Sequence, residues 1–454
     1  MESSVVRMML FLAACCLLVP TARDQTADAR TDKTRAAPWN ILIVVVDTLR
    51  YDATSMGGRE NTPFLQALAR RGVSFARAYS PRDYTRAAHF ALLSGFREGL
   101  SSPLDRSDLG LPYQASQLGY STFGVAANGT LSRRTMPLVS GFKEYDCLYD
   151  DWITQSLEQK AQRRPAIHKR LETYKARTND FNEATLFCKG PELLGRLSPM
   201  IEGAKEPFFG FVNILEPHDP YLPAPEVLGH EDESARFVDP DIRFRVLPQP
   251  LAHPQEITDP ARRASVLARI KAAEGRTWSL SDDLSEAQLA VYRQRYYAAV
   301  READRVVRSI FLMLEKRKVL DRTWVVVTSD HGEAFGERGF VTHALSNKGG
   351  REATRHVPMV WSLPAALGSG RVVTAPVSLS DVAPTLYDLM GIDWAAIKAR
   401  SPDNYGDSLL ADLIVDSSQT AKRPPSFGFE PTEQARKRMR DDALERLRSL
   451  GYIK

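Results

Sequence analysis

Cysteine is scarce in this chain of 454 residues: there are four, and two of them, Cys15 and Cys16, fall in an apolar N-terminal stretch. The other two, Cys147 and Cys188, are too few for a disulfide scaffold or a thiolate metal cluster. An oxidising compartment would permit one bridge between them, and the sequence leaves that pairing open. Long hydrophobic runs are missing as well. The run Met8 to Val19 is too short to span a bilayer, and no later stretch reads as a membrane-spanning helix. Neither sign of charge dominates, because 60 basic and 56 acidic side chains leave a formal charge of +4. So small a surplus gives no electrostatic argument for a nucleic-acid partner. With 27 glycines, 28 prolines, no internal repeat and no low-complexity run, a fibrous or disordered chain is excluded as well.

What is present suits a large folded enzyme. A chain of this length that is 43% hydrophobic and 26% charged can bury an extensive core. Arg7 followed by the Met8–Val19 run reads as an export signal within a segment 1–37 that ends in a polar linker. Leu12-Ala13-Ala14-Cys15 resembles a bacterial lipobox, which would make a lipid anchor at Cys15 the one link to a membrane. Ala27-Asp28-Ala29 offers an ordinary cleavage site instead, and both readings stay open. The expectation is an exported protein, periplasmic or at the cell surface.

The mature chain alternates between strand and helix patterns. Asn40–Val46 is an almost continuous apolar run, the signature of a strand buried on both faces of a parallel sheet, and Asp47 ends it. Thr62-Pro63 opens a helix, with Thr62 as N-cap and Pro63 in its first turn. Val73–Tyr79, Gly119–Ala126, Phe208–Ile214, Trp324–Thr328 and Val357–Trp361 read as further strands, and Tyr292–Glu315 as a long amphipathic helix. The implied fold class is α/β: a large, mostly parallel sheet flanked by helices on both faces. The catalytic domain is expected over 38–412. It carries insertions at about 150–205 and 225–286, where caps that select substrate are expected, and a 413–454 tail with a charged helix from about Glu433.

Chemistry concentrates at three places. Ser329-Asp330-His331-Gly332-Glu333 follows a strand directly, so a carboxylate and an imidazole project from one strand end, where ligands of open α/β sheets collect. Asp47 stands at another strand end. Thr85, in a polar turn before the apolar stretch Phe90–Leu93, falls near a helix N-terminus, where backbone N–H groups favour anionic oxygens. Each also has a plainer reading: Asp47 and Thr85 as helix N-caps, Asp330-His331 as a capped strand end.

The ordered blocks Asp47-Thr48-Leu49-Arg50, Thr62-Pro63-Phe64-Leu65, Tyr84–His89 closed by Leu92-Leu93-Ser94-Gly95, Glu216–Tyr221, Thr328–Glu333, Arg355–Pro358 and Asp381–Leu386 resemble the sulfatase branch of the alkaline phosphatase superfamily. The resemblance covers roughly Trp39 to Asp412. It implies that Asp47, Asp330 and His331 hold one divalent cation (Ca, Mn, Mg or Zn), with Thr85 as a further ligand and the nucleophile. It also implies that His218 contacts the transferred group and protonates the leaving oxygen, a task suited to an imidazole. His343 and Lys348 compete for a downstream cationic position. Arg86 would steady an equatorial oxygen, although an arginine in such a turn is often simply solvated. Asn128 resembles a substrate-side position or is a turn residue; Asn128-Gly129-Thr130 also fits a glycosylation pattern.

The chain departs from sulfatases proper at the nucleophile. Those enzymes oxidise a Cys or Ser to formylglycine within Cys/Ser-x-Pro-x-Arg. Here the stretch is Thr85-Arg86-Ala87-Ala88-His89, and Thr cannot be oxidised to formylglycine. His89 would take over the support of the nucleophile from the missing Arg. Thr nucleophiles in the superfamily belong to phosphatases, phosphodiesterases and phosphotransferases, so the expectation is a hydrolase of a phosphate mono- or diester of unknown identity, working through a phospho-Thr intermediate. The alternatives are a sulfuric ester hydrolase and a non-catalytic binding module on a decayed scaffold. A second metal cluster is not apparent among eight histidines, of which His168, His230 and His253 lie in the insertions and His356 at a strand entry.

Overall fold

The computed structural model describes residues 38–97, 110–148, 190–218, 221, 223, 286–339, 341–343, 350–364, 367, 370–392, 394, 398 and 404–414. The export segment with Cys15, Cys188, Lys348, nearly all of the second insertion and the C-terminal helix lie outside these residues.

Eleven strands are described: β1 (Asn40–Val46), β2 (Val73–Tyr79), β3 (Ser121–Ala126), β4 (Glu144–Cys147), β5 (Phe208–Ile214), β6 (Thr323–Thr328), β7 (Ala334–Phe335), β8 (Val341–Thr342), β9 (His356–Ser362), β10 (Arg371–Val373) and β11 (Val377–Ser378). Nine form one sheet in the order β10-β2-β9-β6-β1-β5-β3-β4, with β11 also on β2, while β7 and β8 make a separate hairpin. All neighbours in the large sheet are parallel except β9, which runs antiparallel to both β2 and β6. The sheet is therefore mixed, though mostly parallel as expected. A strand buried on both faces reads the same in either direction, so the reversal of Val357–Trp361 leaves no trace in its composition.

The apolar run of β1 divides by parity, as the pleat requires. Leu42, Val44 and Val46 join one core with the helices α1 (Pro63–Arg71), α4 (Gly190–Gly203) and α5 (Glu286–Lys316). Ile41, Ile43 and Val45 join the other, with α2 (Thr85–Ser94), α3 (Leu111–Gln117), α7 (Val382–Met390) and α8 (Leu410–Leu413). All six β1 side chains are buried, and each such aliphatic group contributes roughly 1.5–3 kcal/mol. The short helix α6 (Arg351–Arg355) leads into β9.

Two local expectations change. The end of the first insertion is core rather than cap, because Leu193, Leu197 and Ile201 of α4 recur at helical spacing and are buried. Thr62 occupies the N-cap position of α1, but its hydroxyl accepts from Ser55 N instead of from the helix. The open amides of Phe64 and Leu65 donate to the Asp304 carboxylate of α5, each at 2.9 Å. Burial pushes the Asp304 carboxyl above its ordinary range, and the two amides only partly offset this. The folded state therefore holds this proton more tightly than the unfolded state. Stability from this group is fully present below the ordinary carboxylate range and falls as pH rises through the raised value. We expect Asp304→Asn to flatten that part of the profile and Asp304→Ala to cost about 1 kcal/mol, both measured by chemical denaturation across a pH series.

Candidate metal centre and nucleophile

The register of the sheet aligns the site. Val45 of β1 pairs with Thr328 of β6 and Asn213 of β5, and Asn213 pairs with Ala126 of β3. Asp47, Asp330 and Asn128 each follow this row by two residues, so they leave the carboxyl edge of neighbouring strands at one height. This is the edge at which ligands of open α/β sheets bind.

Asp47, Asp330 and His331 meet there, all fully buried, with one donor atom of each within 4.8 Å of the others. Each carboxylate has one saturated and one orphaned oxygen. Asp47 Oδ2 accepts from Asn128 Nδ2 at 2.9 Å and Asn213 Nδ2 at 3.2 Å, whereas Asp47 Oδ1 has no hydrogen-bond partner. Asp330 Oδ1 accepts from the amides of Thr48 at 3.1 Å and His331 at 2.9 Å, whereas Asp330 Oδ2 has none. Burial works to raise the Asp330 pKa. The charges of His331 and His89 and the two amides outweigh it and hold the carboxyl below its ordinary range. His331 Nδ1 lies 2.9 Å from Gly332 O, which only accepts, so Nδ1 donates there and Nε2 is the nitrogen turned toward the carboxylates, where the neutral ring would offer its lone pair to a cation. Two orphaned anionic oxygens and one imidazole lone pair, sealed from water, are a donor set that fits one divalent cation.

Thr85 is the first residue of α2 and is buried. Its Oγ1 lies 3.3 Å from His331 Nε2 and 3.4 Å from Asn128 Nδ2. His89, one turn along, places Nδ1 2.9 Å from Thr85 O and 3.5 Å from Asp330 Oδ2, with its ring edge-on to Phe211. Asn128 is both a turn residue and a site residue. Its Oδ1 accepts from Thr130 N, while Nδ2 points inward to Asp47, so the amide is not presented for glycosylation. The Cys147 thiol donates to Asn128 O at 3.6 Å.

His218 and His343 stand beside the centre. The His343 ring is 4.5 Å from that of His331 and 4.9 Å from that of His218. Its Nδ1 lies 3.1 and 3.2 Å from the two carboxylate oxygens of Glu333, a fully buried side chain. Arg86 is half-buried on α2, with a buried Nε that has no hydrogen-bond partner. Sequence reasoning missed Asn213, Glu333 and Tyr296. Asn213 left a signal, as the one amide inside the apolar run Phe208–Ile214.

The loop after β1 is pinned from three sides. Thr48 adopts a left-handed backbone, φ 56°. Leu49 N donates to Ser329 Oγ at 2.8 Å, and Tyr296 OH of α5 donates to Thr48 O at 2.8 Å while accepting from Arg50 N at 2.9 Å. Burial pushes the Tyr296 phenol up against the opposing pull of Arg50, so it keeps that proton. The Arg50 guanidinium binds Asp52, Glu337 and Glu333 O, which joins this loop to the one after β6. Burial disfavours its charge, but the acidic partners more than compensate and raise its pKa.

Gly332 sets the depth of the second loop, because its N donates to Thr354 O at 2.8 Å and a Cβ there would lie 2.1 Å from Ala353 O. Gly332→Ala should displace Asp330 and His331, lower stability by about 1–3 kcal/mol and weaken metal binding, checked by thermal melts with and without added metal.

The sheet and the edge cluster together define an α/β chain of the alkaline phosphatase-like type. A family model described as Sulfatase matches residues 39–392, and the chain belongs to the sulfatase family. Arylsulfatase K of Xenopus laevis is 27% identical over 229 residues, covering 50% of this chain and 38% of that protein. Choline-sulfatase of Rhizobium meliloti (strain 1021) is 23% identical over 377 residues, covering 79% of this chain and 69% of that protein. The match to Arylsulfatase K thus spans well under half of that relative's length. Among solved structures, the phosphonate monoester hydrolase of Agrobacterium radiobacter superposes with a TM-score of 0.54 at 20% identity, covering 84% of this chain and 78% of that one. That likeness is one of fold.

Proposed function

We propose that this chain is an exported, metal-dependent ester hydrolase of the periplasm or cell surface that cleaves a phosphate mono- or diester with Thr85 as nucleophile. The observation that carries the reading is the approach of Thr85 Oγ1 to His331 Nε2 at 3.3 Å, the nitrogen that also lies 4.0 Å from Asp47 Oδ1 and 3.4 Å from Asp330 Oδ2, two buried carboxylate oxygens that have no hydrogen-bond partner. A divalent cation held by Asp47, Asp330 and His331 would lower the proton affinity of a hydroxyl presented to it and offset charge on the ester oxygens.

The residues themselves then divide the work. Thr85 Oγ1 releases its proton to solvent and forms a bond to phosphorus while the bond to the leaving oxygen breaks, and that oxygen takes a proton from His218. The product on the enzyme is a phospho-Thr85 ester, which water must hydrolyse. The open amides at the start of α2 and the adjacent Arg86 suit the equatorial oxygens. His89 steadies the nucleophile through Thr85 O. His343, oriented by Glu333, fits the downstream position better supported by geometry, with Lys348 the other candidate. The buried arrangement argues against a decayed binding module, since binding alone does not call for two uncompensated carboxylates.

Sulfate-ester hydrolysis is the second reading, favoured by the names of the relatives, Arylsulfatase K and choline-sulfatase. It would proceed without formylglycine, because position 85 is threonine. No helix among the described residues is long and apolar enough to cross a membrane; the link to a membrane that we propose is a lipid anchor at Cys15. The test is turnover of paired aryl phosphate monoester, phosphodiester and sulfate ester substrates with and without divalent metal. Phosphoester turnover should exceed sulfate turnover and fall at least roughly a thousandfold in Thr85→Ala. Thr85→Ser should keep much of it. Undiminished turnover in Thr85→Ala sinks the nucleophile, and absence of both metal and turnover leaves the binding module.

A further inference from the structure

Both carboxylates of the metal centre are restrained to a single coordinating oxygen, and the restraint is made by groups that are not themselves ligands. On Asp330, two main-chain amides occupy Oδ1. On Asp47, two side-chain amides occupy Oδ2. The orientation of each side-chain amide is fixed independently. Asn213 Oδ1 accepts from Asn128 N at 3.0 Å, which turns Asn213 Nδ2 toward Asp47. Asn128 Oδ1 accepts from Thr130 N at 3.0 Å and Thr130 Oγ1 at 2.8 Å, which turns Asn128 Nδ2 the same way. Asn213 is fully buried within a strand that is otherwise apolar, a costly place for an amide unless all its bonds are made.

We infer that Asn128 and Asn213 are positioning residues that hold Asp47 monodentate, and that the centre in consequence selects a first-row transition-metal ion of the manganese(II) class over calcium. The inference rests on the metal reading proposed above. Calcium takes about 6–8 oxygen ligands in flexible geometry and draws on bidentate carboxylates to reach that number. Here the protein offers one oxygen from each of Asp47 and Asp330, one imidazole nitrogen from His331 and one hydroxyl from Thr85. Few donors, one of them nitrogen, suit an ion that accepts imidazole and mixed carboxylate ligation. Freeing Oδ2 of Asp47 would let that carboxylate bind through both oxygens and would move the balance toward calcium.

The experiment titrates MnCl2 and CaCl2 into the metal-stripped full chain by calorimetry, for the unaltered protein, Asn213→Leu and Asn128→Ala, with a thermal melt of each metal-free form. The unaltered protein should bind manganese at least about tenfold tighter than calcium. Each variant should weaken manganese binding by about 10–100-fold and narrow the preference, with Asn128→Ala carrying the test if Asn213→Leu unfolds. Calcium binding as tight as manganese, or a preference unchanged in a variant that melts like the parent, overturns the inference. Binding of neither ion overturns the metal reading together with it. The expected preference combined with full activity in Thr85→Ala supports the selectivity and removes only the nucleophile.

Discussion

Two buried carboxylates beside one imidazole are the constraint on which this molecule turns. Sealed from water, Asp47 and Asp330 each lose the hydration that stabilises their charge, and the protein returns hydrogen bonds to only one oxygen of each. Such a pair is tolerable with a cation between the free oxygens. Much of the surrounding structure serves to keep them facing each other. The parallel register of β1 with β5 and β6 sets their height, Arg50 ties their two loops, and Gly332 lets the second loop sink against α6. Thr85, the proposed nucleophile, arrives from a different layer, on α2, and His89 couples its main chain to Asp330.

Part of this was legible in the chain itself. A strand buried on both faces in a parallel sheet must be apolar throughout, so β1, β5 and β6 stood out as runs. A charged residue that ends such a run stands at a sheet edge, which marked Asp47 and Asp330. The helix start at Thr85 followed from an apolar stretch after a polar turn. The direction of β9 could not be read, because pairing sense leaves no mark on a fully buried strand. The cap of α1 was misassigned to Thr62 because its true acceptor, Asp304, is more than two hundred residues away and becomes a neighbour only when α5 packs beside α1.

The supporting shell was the least legible layer. Asn213 and Glu333 do their work through contacts across the fold or across a hairpin, and neither has a local pattern that names its partner. Asn213 reaches Asp47 because β5 lies beside β1, and Glu333 reaches His343 because β7 and β8 fold back on each other. Residues that ligate or attack are chosen by type, and type is visible in a sequence. Residues that orient them are chosen by place, and place requires the fold.

Thr48 carries a broader consequence for anyone seeking to harden this protein. A β-branched residue in the left-handed region costs on the order of 1 kcal/mol, a strain that glycine would not carry. Here the same bend aims Thr48 N at Asp330 and Thr48 O at Tyr296, so the kink is where local thermostability is exchanged for chemical competence. A more relaxed backbone at this position would withdraw the amide that saturates Asp330 Oδ1, so easing the strain would loosen the carboxylate it holds.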